Sequence, residues 1–315
     1  MTDITKENTF LTDSRFRSLN DDLRERFGEK LYKLTLNGGC TCPNRDGTLG
    51  TRGCIFCSEG GSGEFAASPQ LSIQEQIEDG KRRLAGKRPV KKYIAYFQAY
   101  TNTYAPVEHL RRVFTEAISC PEIAVLSIAT RPDCLGEEVL ELLEELNRRK
   151  PVWVELGLQT IHEKTASFIR RGYPLPVFDR AVKELEARGI EIIVHTILGL
   201  PGETADMMLD TVRYVNSTPA AGIKLQLLHI LKHTDLADYY QHTGFHILTM
   251  NEYVDLVIRC LEVCRPDLVI HRLTGDGPKD LLIAPEWSQA KRQVLNTIQK
   301  ELKRRNTFQG RLYSP

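Results

Sequence analysis

Three cysteines, Cys42, Cys54 and Cys57, lie on one short Gly-rich segment of the chain. Cysteine thiolates hold the irons of [4Fe–4S] clusters, and the usual set has four of them. A cluster held by three protein thiolates keeps one iron open, and an open iron binds a substrate or a cofactor. The segment follows a predicted strand and precedes a long α/β pattern, a context that indicates cofactor chemistry rather than a structural clip.

A fourth cysteine, Cys40, leaves a second interpretation open. Together with the other three it forms two closely spaced pairs, which are typical of a structural four-cysteine zinc site. The polar residues predicted at the strand ends would then have no purpose. The remaining cysteines show no ligand spacing, and we expect them to be small buried core residues. They are Cys120, Cys134, Cys260 and Cys264.

Length and composition set the broad class. The chain has 315 residues, of which 41% are hydrophobic and 26% are charged. These values are typical of a soluble globular protein with one large α/β domain or two ordinary ones. No apolar run reaches the roughly 18 residues of a membrane span, and residues 1–20 are too polar for a signal peptide. We therefore predict a cytoplasmic protein with reduced thiols and no membrane association.

Short apolar runs alternate along the chain with segments of helical periodicity. The runs predict strands at 31–36, 93–98, 124–129, 152–158, 190–198 and 222–229. The intervening segments predict helices at 73–84, 107–118, 137–149, 161–171, 176–188 and 205–216. Nearly continuous apolar strands are typical of a parallel sheet covered on both faces, and six β/α units are too few for an eight-fold barrel. The predicted fold is α/β, a partial (β/α)6 TIM-like barrel.

The parts outside the barrel resemble extensions of the same unit. We predict an N-terminal extension at 1–29, a core at 30–235, and a C-terminal extension at 236–315 that packs on the core. No Pro-, Gly- or Ser-rich linker marks a second domain. Residues 269–273 are a candidate for a late strand, and residues 287–304 for a terminal helix.

Each predicted strand ends in polar or Gly-rich sequence. Functional residues of parallel β/α folds lie at the carboxyl ends of the strands, and the first strand here leads into the cysteine segment. The candidate residues on or after the later strands are Thr101, Asn102, Arg131, Glu155, Gln159 and His195. Singly, each is explained by core packing or by a helix end. Their ordered appearance after the three cysteines favours one shared site.

These features together resemble the radical S-adenosylmethionine (SAM) enzymes over roughly residues 30–235. The closer likeness is to the YhcC-type subfamily, which is related to the radical-SAM domain of the Elongator catalytic subunit. The matching parts are Lys33 and the runs 28–30, 42–47, 53–57 and 199–203. Eleven residues separate Cys42 from Cys54, a departure from the general Cys-x3-Cys-x2-Cys spacing that suits this subfamily.

The resemblance implies a fold and two cofactors. The fold is a partial barrel of the radical SAM type, and the cofactors are a [4Fe–4S] cluster and SAM. The implied metal ligands are Cys42, Cys54 and Cys57, with Cys40 as a bystander. An electron donor such as flavodoxin or ferredoxin would reduce the cluster, and SAM would be cleaved to methionine and a 5′-deoxyadenosyl radical. The protein supplies orientation and excludes competing reactions.

The resemblance also implies residues that contact SAM. Gln159 and Arg171 resemble the pair that binds the ribose and carboxylate of SAM in the oxygen-independent coproporphyrinogen oxidase relatives. Thr101 and Asn102 occupy the place where these enzymes hold the SAM amino group, and Arg131 lies in a run similar to the Elongator-type third strand. The full implied set of cofactor-binding residues is Thr101, Asn102, Arg131, Glu155, Gln159, Arg171 and His195. No residue is implied as catalytic in the conversion of the substrate.

The Elongator likeness implies chemistry on the C5 side chain of the wobble uridine in tRNA. Basic segments at 81–92 and 291–311 would neutralise phosphates, and side chains near the predicted barrel mouth would stack a flipped base. The candidates for stacking are Tyr100, Tyr104, Tyr173, His229 and His233. The candidates for the pocket in the C-terminal extension are His271, Arg272, Asp276 and Lys279. A radical SAM enzyme acting on a small molecule, such as a porphyrin-type or amino-acid substrate, is the alternative.

Overall fold

Nine strands and two sheets are present in the computed structural model, which describes residues 15–61, 63–87, 91–275 and 277–315. The strands are β1 (Tyr32–Leu36), β2 (Tyr93–Phe97), β3 (Ile123–Thr130), β4 (Val152–Gln159), β5 (Glu191–Leu198), β6 (Gly222–Leu227), β7 (Ile230–Leu231), β8 (Val269–Arg272) and β9 (Leu282–Ala284). Seven of them form one parallel sheet in the order β1-β2-β3-β4-β5-β6-β8. The two short strands β7 and β9 pair antiparallel beside it.

Helices follow the strands and cover the outer face of the parallel sheet. They are α1 (Leu19–Phe27), α2 (Ile73–Leu84), α3 (Val107–Ser119), α4 (Glu137–Asn147), α5 (Glu163–Phe168), α6 (Leu175–Ala187), α7 (Ala205–Asn216), α8 (Asp235–Thr243), α9 (Met250–Val263) and α10 (Lys291–Arg304). Capping residues determine where several of these helices begin. Ser72 and Glu75 form a capping box at the beginning of α2, as Thr249 and Glu252 do for α9.

The parallel sheet curls around its own interior. Strands β1 and β4 are three positions apart, so their backbones would be separated by about 14 Å in a flat sheet. Nevertheless, Lys33 Nζ on β1 lies 2.8 Å from Glu155 Oε1 on β4. Lys224 on β6 reaches the same carboxylate from the other side. Side chains from three separated strands therefore converge on one point inside a half-barrel.

Residues two apart on each strand form layers along the barrel axis, because alternate side chains point inward. A lower apolar layer at the amino ends consists of Ile94, Val125, Trp153 and Ile193, which pack with Leu23 of α1. The next layer, called the polar layer here, consists of Lys33, Tyr96, Ser127, Glu155, His195, Lys224 and Arg272. The upper layer consists of Gln98, Ala129, Gly157, Ile197 and Gln226. The interior thus changes from apolar to polar toward the carboxyl ends.

The predicted fold is confirmed, and six predicted strands are present. The candidate strand at 269–273 is β8, the seventh strand of the sheet. The strand predicted at 222–229 ends earlier, at Leu227, and β7 follows as a separate strand. The helix predicted at 161–171 is the shorter α5, because the chain turns at Arg170 (φ 57°) and Gly172 (φ 85°). Helices α1 and α8 were not predicted, and of α9 the sequence indicated only the helical spacing of Cys260 and Cys264 near its end.

Residues 236–315 contribute β8 to the sheet and the helices α9 and α10 to its outer cover. The predicted domain limits at 29 and 235 stay predictions. Within the described ranges, none of the helices has the length and hydropathy of a membrane-spanning segment.

Candidate functional site

A cavity opens at the carboxyl ends of the parallel strands, above the polar layer. Together with the open solvent at its mouth, the cavity has a volume of about 1070 Å³. The thiols of Cys42, Cys54 and Cys57 line it together with side chains from the strand ends. The predicted site residues that line it are Thr101, Arg131, Glu155, Gln159, Arg171 and His195. The structure therefore brings nine of the ten predicted residues to one cavity.

Hydrogen bonds fix the shape of the cysteine segment. Asn44 Nδ2 donates to the carbonyl of Arg170 at 2.8 Å and lies 3.4 Å from the sulfur of Cys54. The amide of Gly53, a residue with φ 74°, donates to the carbonyl of Asn44 at 2.8 Å. Two residues later, the amide of Ile55 donates a hydrogen bond to the carbonyl of Ile169, just after α5. These contacts attach the turn that carries Cys54 to the end of α5.

Two guanidinium groups face the thiols. Burial raises the pKa of the Cys54 thiol to about 12, the neighbouring thiol of Cys57 adds to that rise, and the positive charge of Arg131 opposes it. Arg45 donates through Nη2 to the carbonyl of Cys57 at 2.9 Å. The Cys54 thiol is therefore protonated at neutral pH, and a metal that binds there must displace the proton.

Cys40 is not part of the cavity wall. It is 7% exposed and packs in the main hydrophobic core, where burial raises the pKa of its thiol to about 11. In the part of the chain that the structure describes, no three His, Cys, Asp or Glu side chains are grouped so that they could hold one metal ion. A zinc site made from all four cysteines gains no support from this arrangement.

The residues after β2 occupy two different positions. Thr101 lines the cavity, and its amide donates to the carbonyl of Thr41 at 3.1 Å, which joins the strand end to the cysteine segment. Asn102 is completely buried behind the wall, where its Nδ2 donates to the carbonyls of Phe97 at 3.2 Å and Ala129 at 2.9 Å. Asn102 therefore braces the ends of β2 and β3, and its contact with SAM stays a prediction.

Gln159 lies at a bulge between β4 and β5 and has φ 67°. Its Oε1 is buried, and within the described residues it has no hydrogen-bond partner. A buried acceptor without a donor is costly, so this atom points to a ligand that donates a hydrogen bond. Gly157 makes room for the amide, because a Cβ at that position would lie 2.9 Å from Gln159 Nε2.

The guanidinium groups of the two predicted arginines donate hydrogen bonds to acceptors within the protein. Arg171 donates to the carbonyls of Thr160 at 2.6 Å and Tyr173 at 2.9 Å, and it pairs with Glu163 at 3.0 Å. Arg131 makes a bidentate pair with Asp133, at 2.9 and 2.7 Å. Arg171 therefore shapes the turn that carries the bulge at Gln159.

Glu155 is the centre of the polar layer and is completely buried. It accepts hydrogen bonds from Ser127 Oγ at 2.7 Å, from Lys33 Nζ at 2.8 Å, from His195 Nε2 at 2.7 Å and from Lys224 Nζ. Burial opposes the charge of the carboxylate, but the two ammonium groups hold the pKa of Glu155 well below its usual range. Glu155 is therefore ionised at neutral pH.

His195 is neutral at neutral pH, because burial and the charge of Lys224 lower its pKa to about 4. The sequence analysis did not single out the partners Tyr96, Ser127 and Lys224. A signal for Lys224 was available, since a lysine interrupts the apolar run of β6. Its Nζ donates to the hydroxyl of Tyr96 at 3.1 Å.

A second compartment continues from the cavity toward β1 and β8. The residues common to both are Phe56, Tyr96, Gln98, Ile197, Gln226 and Arg272. Lys33, Glu64 and His229 also line the second compartment.

The side chains predicted to stack on a base lie in different places. Tyr100 and Tyr173 line the first cavity and His229 the second compartment. Tyr104 and His233 line neither; the hydroxyl of Tyr104 lies 2.9 Å from that of Thr48. Of the candidates in the C-terminal extension, Arg272 lines both compartments, and Asp276 lies outside the described residues.

Three of the seven basic residues in the first basic segment pair with acidic neighbours, whereas Lys91 and Lys92 are exposed. Lys81 pairs with Glu78 and Glu122, while Arg82 and Arg83 pair with Asp79. Arg88 lies outside the described residues. This segment therefore offers fewer charges to phosphates than its composition indicated.

The second basic segment keeps more exposed charge. Arg304 and Arg305 pair with Glu301, whereas Arg292 and Lys300 are exposed along a shallow groove of α10.

Two family models match most of the chain. The model of the Radical SAM superfamily matches residues 46–215, and that of the Radical_SAM C-terminal domain matches residues 220–304. The chain belongs to the radical SAM superfamily. The predicted resemblance is thereby confirmed.

Similar radical SAM proteins come from bacteria and archaea. The uncharacterized protein YtqA of Bacillus subtilis is 46% identical over 96% of this chain and 94% of its own length. Protein YhcC of Escherichia coli is 38% identical, over 85% of this chain and 86% of its own. A more distant relative, the tRNA uridine(34) acetyltransferase of Methanocaldococcus jannaschii, is 22% identical over 50% of this chain and 29% of its own.

A solved structure shares the fold. The archaeal Methanocaldococcus infernus Elp3, with its N-terminus deleted, superposes with a TM-score of 0.67. The match covers 89% of this chain and 64% of the other at 14% sequence identity, so the likeness shows the fold alone.

Radical SAM enzymes use a [4Fe–4S] cluster and SAM, and the cavity fits both. Three cysteine thiols border it, and thiolates are the ligands of such clusters. Arg45 and Arg131 place positive charge beside the thiols, which favours an anionic thiolate-bound centre. The buried Oε1 of Gln159 offers an acceptor for a donor group of a nucleoside cofactor.

Proposed function

We propose that this radical SAM enzyme modifies the C5 side chain of the wobble uridine in tRNA, using a cluster held by Cys42, Cys54 and Cys57. The observation that carries the enzyme chemistry is the meeting of these three thiols with the residues at the strand ends in one cavity. When bound, the two cofactors supply a 5′-deoxyadenosyl radical that abstracts hydrogen from the substrate. The chain binds, orients and shields the reactants.

Cys54 has the most defined surroundings of the three proposed ligands. The amide of Asn44 and the guanidinium of Arg131 both stabilise the thiolate form over the thiol. Asn44 and Arg131 therefore assist the loss of the proton that metal binding requires.

The SAM site lies between the thiols and the bulge at Gln159. We propose that Gln159 Oε1 accepts a hydrogen bond from SAM, because it is a buried acceptor on the cavity wall. Thr101 borders the same cavity beside the cysteine segment. Arg171 donates hydrogen bonds to Thr160, Tyr173 and Glu163. Its proposed role is to hold the turn that carries Gln159 rather than to contact SAM.

The tRNA substrate is supported by the distant relative that is named a tRNA uridine(34) acetyltransferase. Its match covers 50% of this chain and 29% of its own length, so the two proteins are alike over only part of each. The exposed Arg292 and Lys300 of α10 are the proposed phosphate contacts. We place the reaction in the cytoplasm, with flavodoxin or ferredoxin as the electron donor, because cluster thiolates need a reducing compartment.

The experiment is anaerobic incubation of the reconstituted enzyme with SAM, dithionite and bulk tRNA, followed by nucleoside mass analysis. We expect a change of mass at the wobble uridine and 5′-deoxyadenosine in the same samples. The matched control is Cys54→Ala, which should yield neither product. Formation of 5′-deoxyadenosine with unchanged tRNA would reject the tRNA substrate and leave a small-molecule substrate. Absence of 5′-deoxyadenosine would reject the cluster chemistry as well.

A further inference from the structure

We propose that the second compartment binds an oxyanion of the substrate, a carboxylate or a phosphate, between Lys33 and Arg272. The proposal rests on the radical SAM function, because it assigns a substrate group to the space next to the proposed SAM site. It adds a chemical class for the substrate that the sequence alone did not provide.

The charges of the polar layer do not balance. Lys33, Lys224 and Arg272 are its basic groups, and Glu155 is its single carboxylate. His195 is neutral. Burial lowers the pKa of Lys224 well below its ordinary value, but even a neutral Lys224 leaves two cations against one carboxylate. Lys33 and Arg272 are both only partly buried and both line the compartment, so an anion that enters it can reach two cations.

The carboxylate of Glu64 also lies on the wall of the compartment. It accepts a hydrogen bond from the hydroxyl of Ser58 and lies next to Gly60 in the loop after the cysteine segment. Glu64, Lys33 and Arg272 are all partly exposed, so solvent screens the three charges alike. Among the described residues no ion pair joins Glu64 to Lys33 or Arg272, so both cations are available to an anion that enters the compartment.

Arg272 is the less compensated of the two cations. Its Nη1 donates to Gln226 Oε1 at 3.3 Å, a neutral acceptor, and the described residues include no ion pair for it. A guanidinium carries five N–H donors in a planar fork that matches a carboxylate or a phosphate. Lys33 shares Glu155 with Lys224 and His195, so its positive charge is only partly compensated.

Lys33 and Arg272 line the same compartment because the sheet is curled. Lys33 comes from β1 and Arg272 from β8, the two edge strands of the parallel sheet. Both line the compartment, and Tyr96 and Gln226 lie at its boundary with the first cavity. An oxyanion held at this base therefore places the rest of its molecule toward the proposed SAM site.

The test measures anion binding by the reconstituted enzyme with SAM bound, under anaerobic conditions. Acetate and inorganic phosphate are titrated at constant ionic strength set by chloride, and heat is recorded. We expect at least one of them to bind, and Arg272→Gln and Lys33→Met to weaken that binding by about tenfold, as for the loss of a charged hydrogen bond. Arg272→Lys keeps the charge and should retain more affinity than Arg272→Gln. Lys183→Met on α6, which is exposed and lines neither compartment, is the matched surface control and should change nothing.

Each outcome has one meaning. Binding of acetate alone assigns a carboxylate, binding of phosphate alone assigns a phosphate, and binding of both supports a site that recognises charge. Binding of neither, or binding that Arg272→Gln and Lys33→Met both leave unchanged, overturns the proposal. Formation of 5′-deoxyadenosine under dithionite is measured on the same preparations. Its presence without anion binding leaves the proposed function standing, whereas its absence in the wild-type enzyme rejects that function separately.

Discussion

Glu155 and Lys224 form an ion pair inside the half-barrel, from β4 and β6, with both side chains almost completely withdrawn from solvent. The two partners are not equivalent. Glu155 binds a second ammonium group, that of Lys33, whereas Lys224 has no other carboxylate partner among the described residues. The carboxylate is therefore the common counter-charge of two ammonium groups.

This asymmetry predicts unequal costs of substitution. Glu155→Gln leaves the buried Lys224 and the partly exposed Lys33 without a carboxylate partner and should lower the free energy of unfolding by about 3–5 kcal/mol. Lys224→Met leaves Glu155 paired with Lys33 and should lower it by only about 1–2 kcal/mol. Urea unfolding of the reduced apoprotein measures both values. Arg213→Ala, which breaks an exposed pair with Asp210, is the control and should cost less than about 1 kcal/mol. Equal costs for Glu155→Gln and Lys224→Met would contradict the assignment.

His195 predicts a dependence of stability on pH. Its pKa in the folded protein is about 4, against an ordinary value of 6.5, so the unfolded chain binds a proton that the folded protein does not. Stability contributed by the neutral imidazole is present above the ordinary pKa and is lost as pH falls toward 4, by about 3 kcal/mol in all. Urea unfolding at pH 7 and about pH 5 should show roughly 2 kcal/mol of this loss. His195→Gln, which does not titrate, should lack it; an identical slope in both proteins would refute the prediction.

The positions of the four cysteines lead us to expect that three of them bind the cluster and that Cys40 does not. Cys42→Ala, Cys54→Ala and Cys57→Ala should each lose most of the bound iron and labile sulfide, because each thiol borders the cavity. Cys40→Ala should keep iron and sulfide and lose only packing, since Cys40 lies in the hydrophobic core. Iron, sulfide and zinc are measured on anaerobically purified protein. A colourless wild-type protein rich in zinc would favour the four-cysteine zinc site instead.

The bulge at Gln159 predicts a weakening of SAM binding without loss of the cluster. In Gly157→Ala the new methyl group would lie 2.9 Å from Gln159 Nε2 and displace the amide. We expect about tenfold weaker SAM binding for Gly157→Ala and Gln159→Leu, with unchanged iron content. Equilibrium dialysis of SAM measures the affinity. Gln299→Leu on α10 serves as a control. Normal affinity in both cavity variants would remove Gln159 from the SAM site.

Arg171 was predicted from the sequence to contact the SAM carboxylate, and its hydrogen bonds add an effect on stability. Arg171→Ala removes the donors of three backbone carbonyls and one carboxylate. It should lower the free energy of unfolding by about 2 kcal/mol and also weaken SAM binding, while iron content stays the same. Arg171→Lys should not restore either value, because one ammonium group cannot reach all of these acceptors. Restoration by lysine would favour a simple charge contact with SAM over positioning of Gln159.

The sequence predicted the sheet and the cavity residues because both follow from local patterns. Apolar runs such as 93–98 and 152–158 mark buried parallel strands, and the carboxyl ends of such strands meet at one edge. The curl of the sheet is not a local property. It decides that Lys33 on β1, Glu155 on β4 and Lys224 on β6 are neighbours, and no spacing along the chain encodes that.

The roles of single side chains were also hidden from the sequence. Asn102 and Thr101 are adjacent, yet one is behind the cavity wall and the other on its surface. Arg171 lines the cavity but has its donors directed to backbone carbonyls. Residue type does not encode either distinction. A turn with positive φ at Tyr100 precedes Thr101 and Asn102, and turns with positive φ at Arg170 and Gly172 flank Arg171.

The apolar layer of Trp153, Ile94 and their neighbours, closed from below by Leu23 of α1, has a consequence for the order of events. With its amino end filled, the barrel admits reactants over the carboxyl rim that also carries the cysteine segment. A molecule as large as an RNA seated on that rim would block later arrivals. If the proposed tRNA binds there, SAM would have to bind before it.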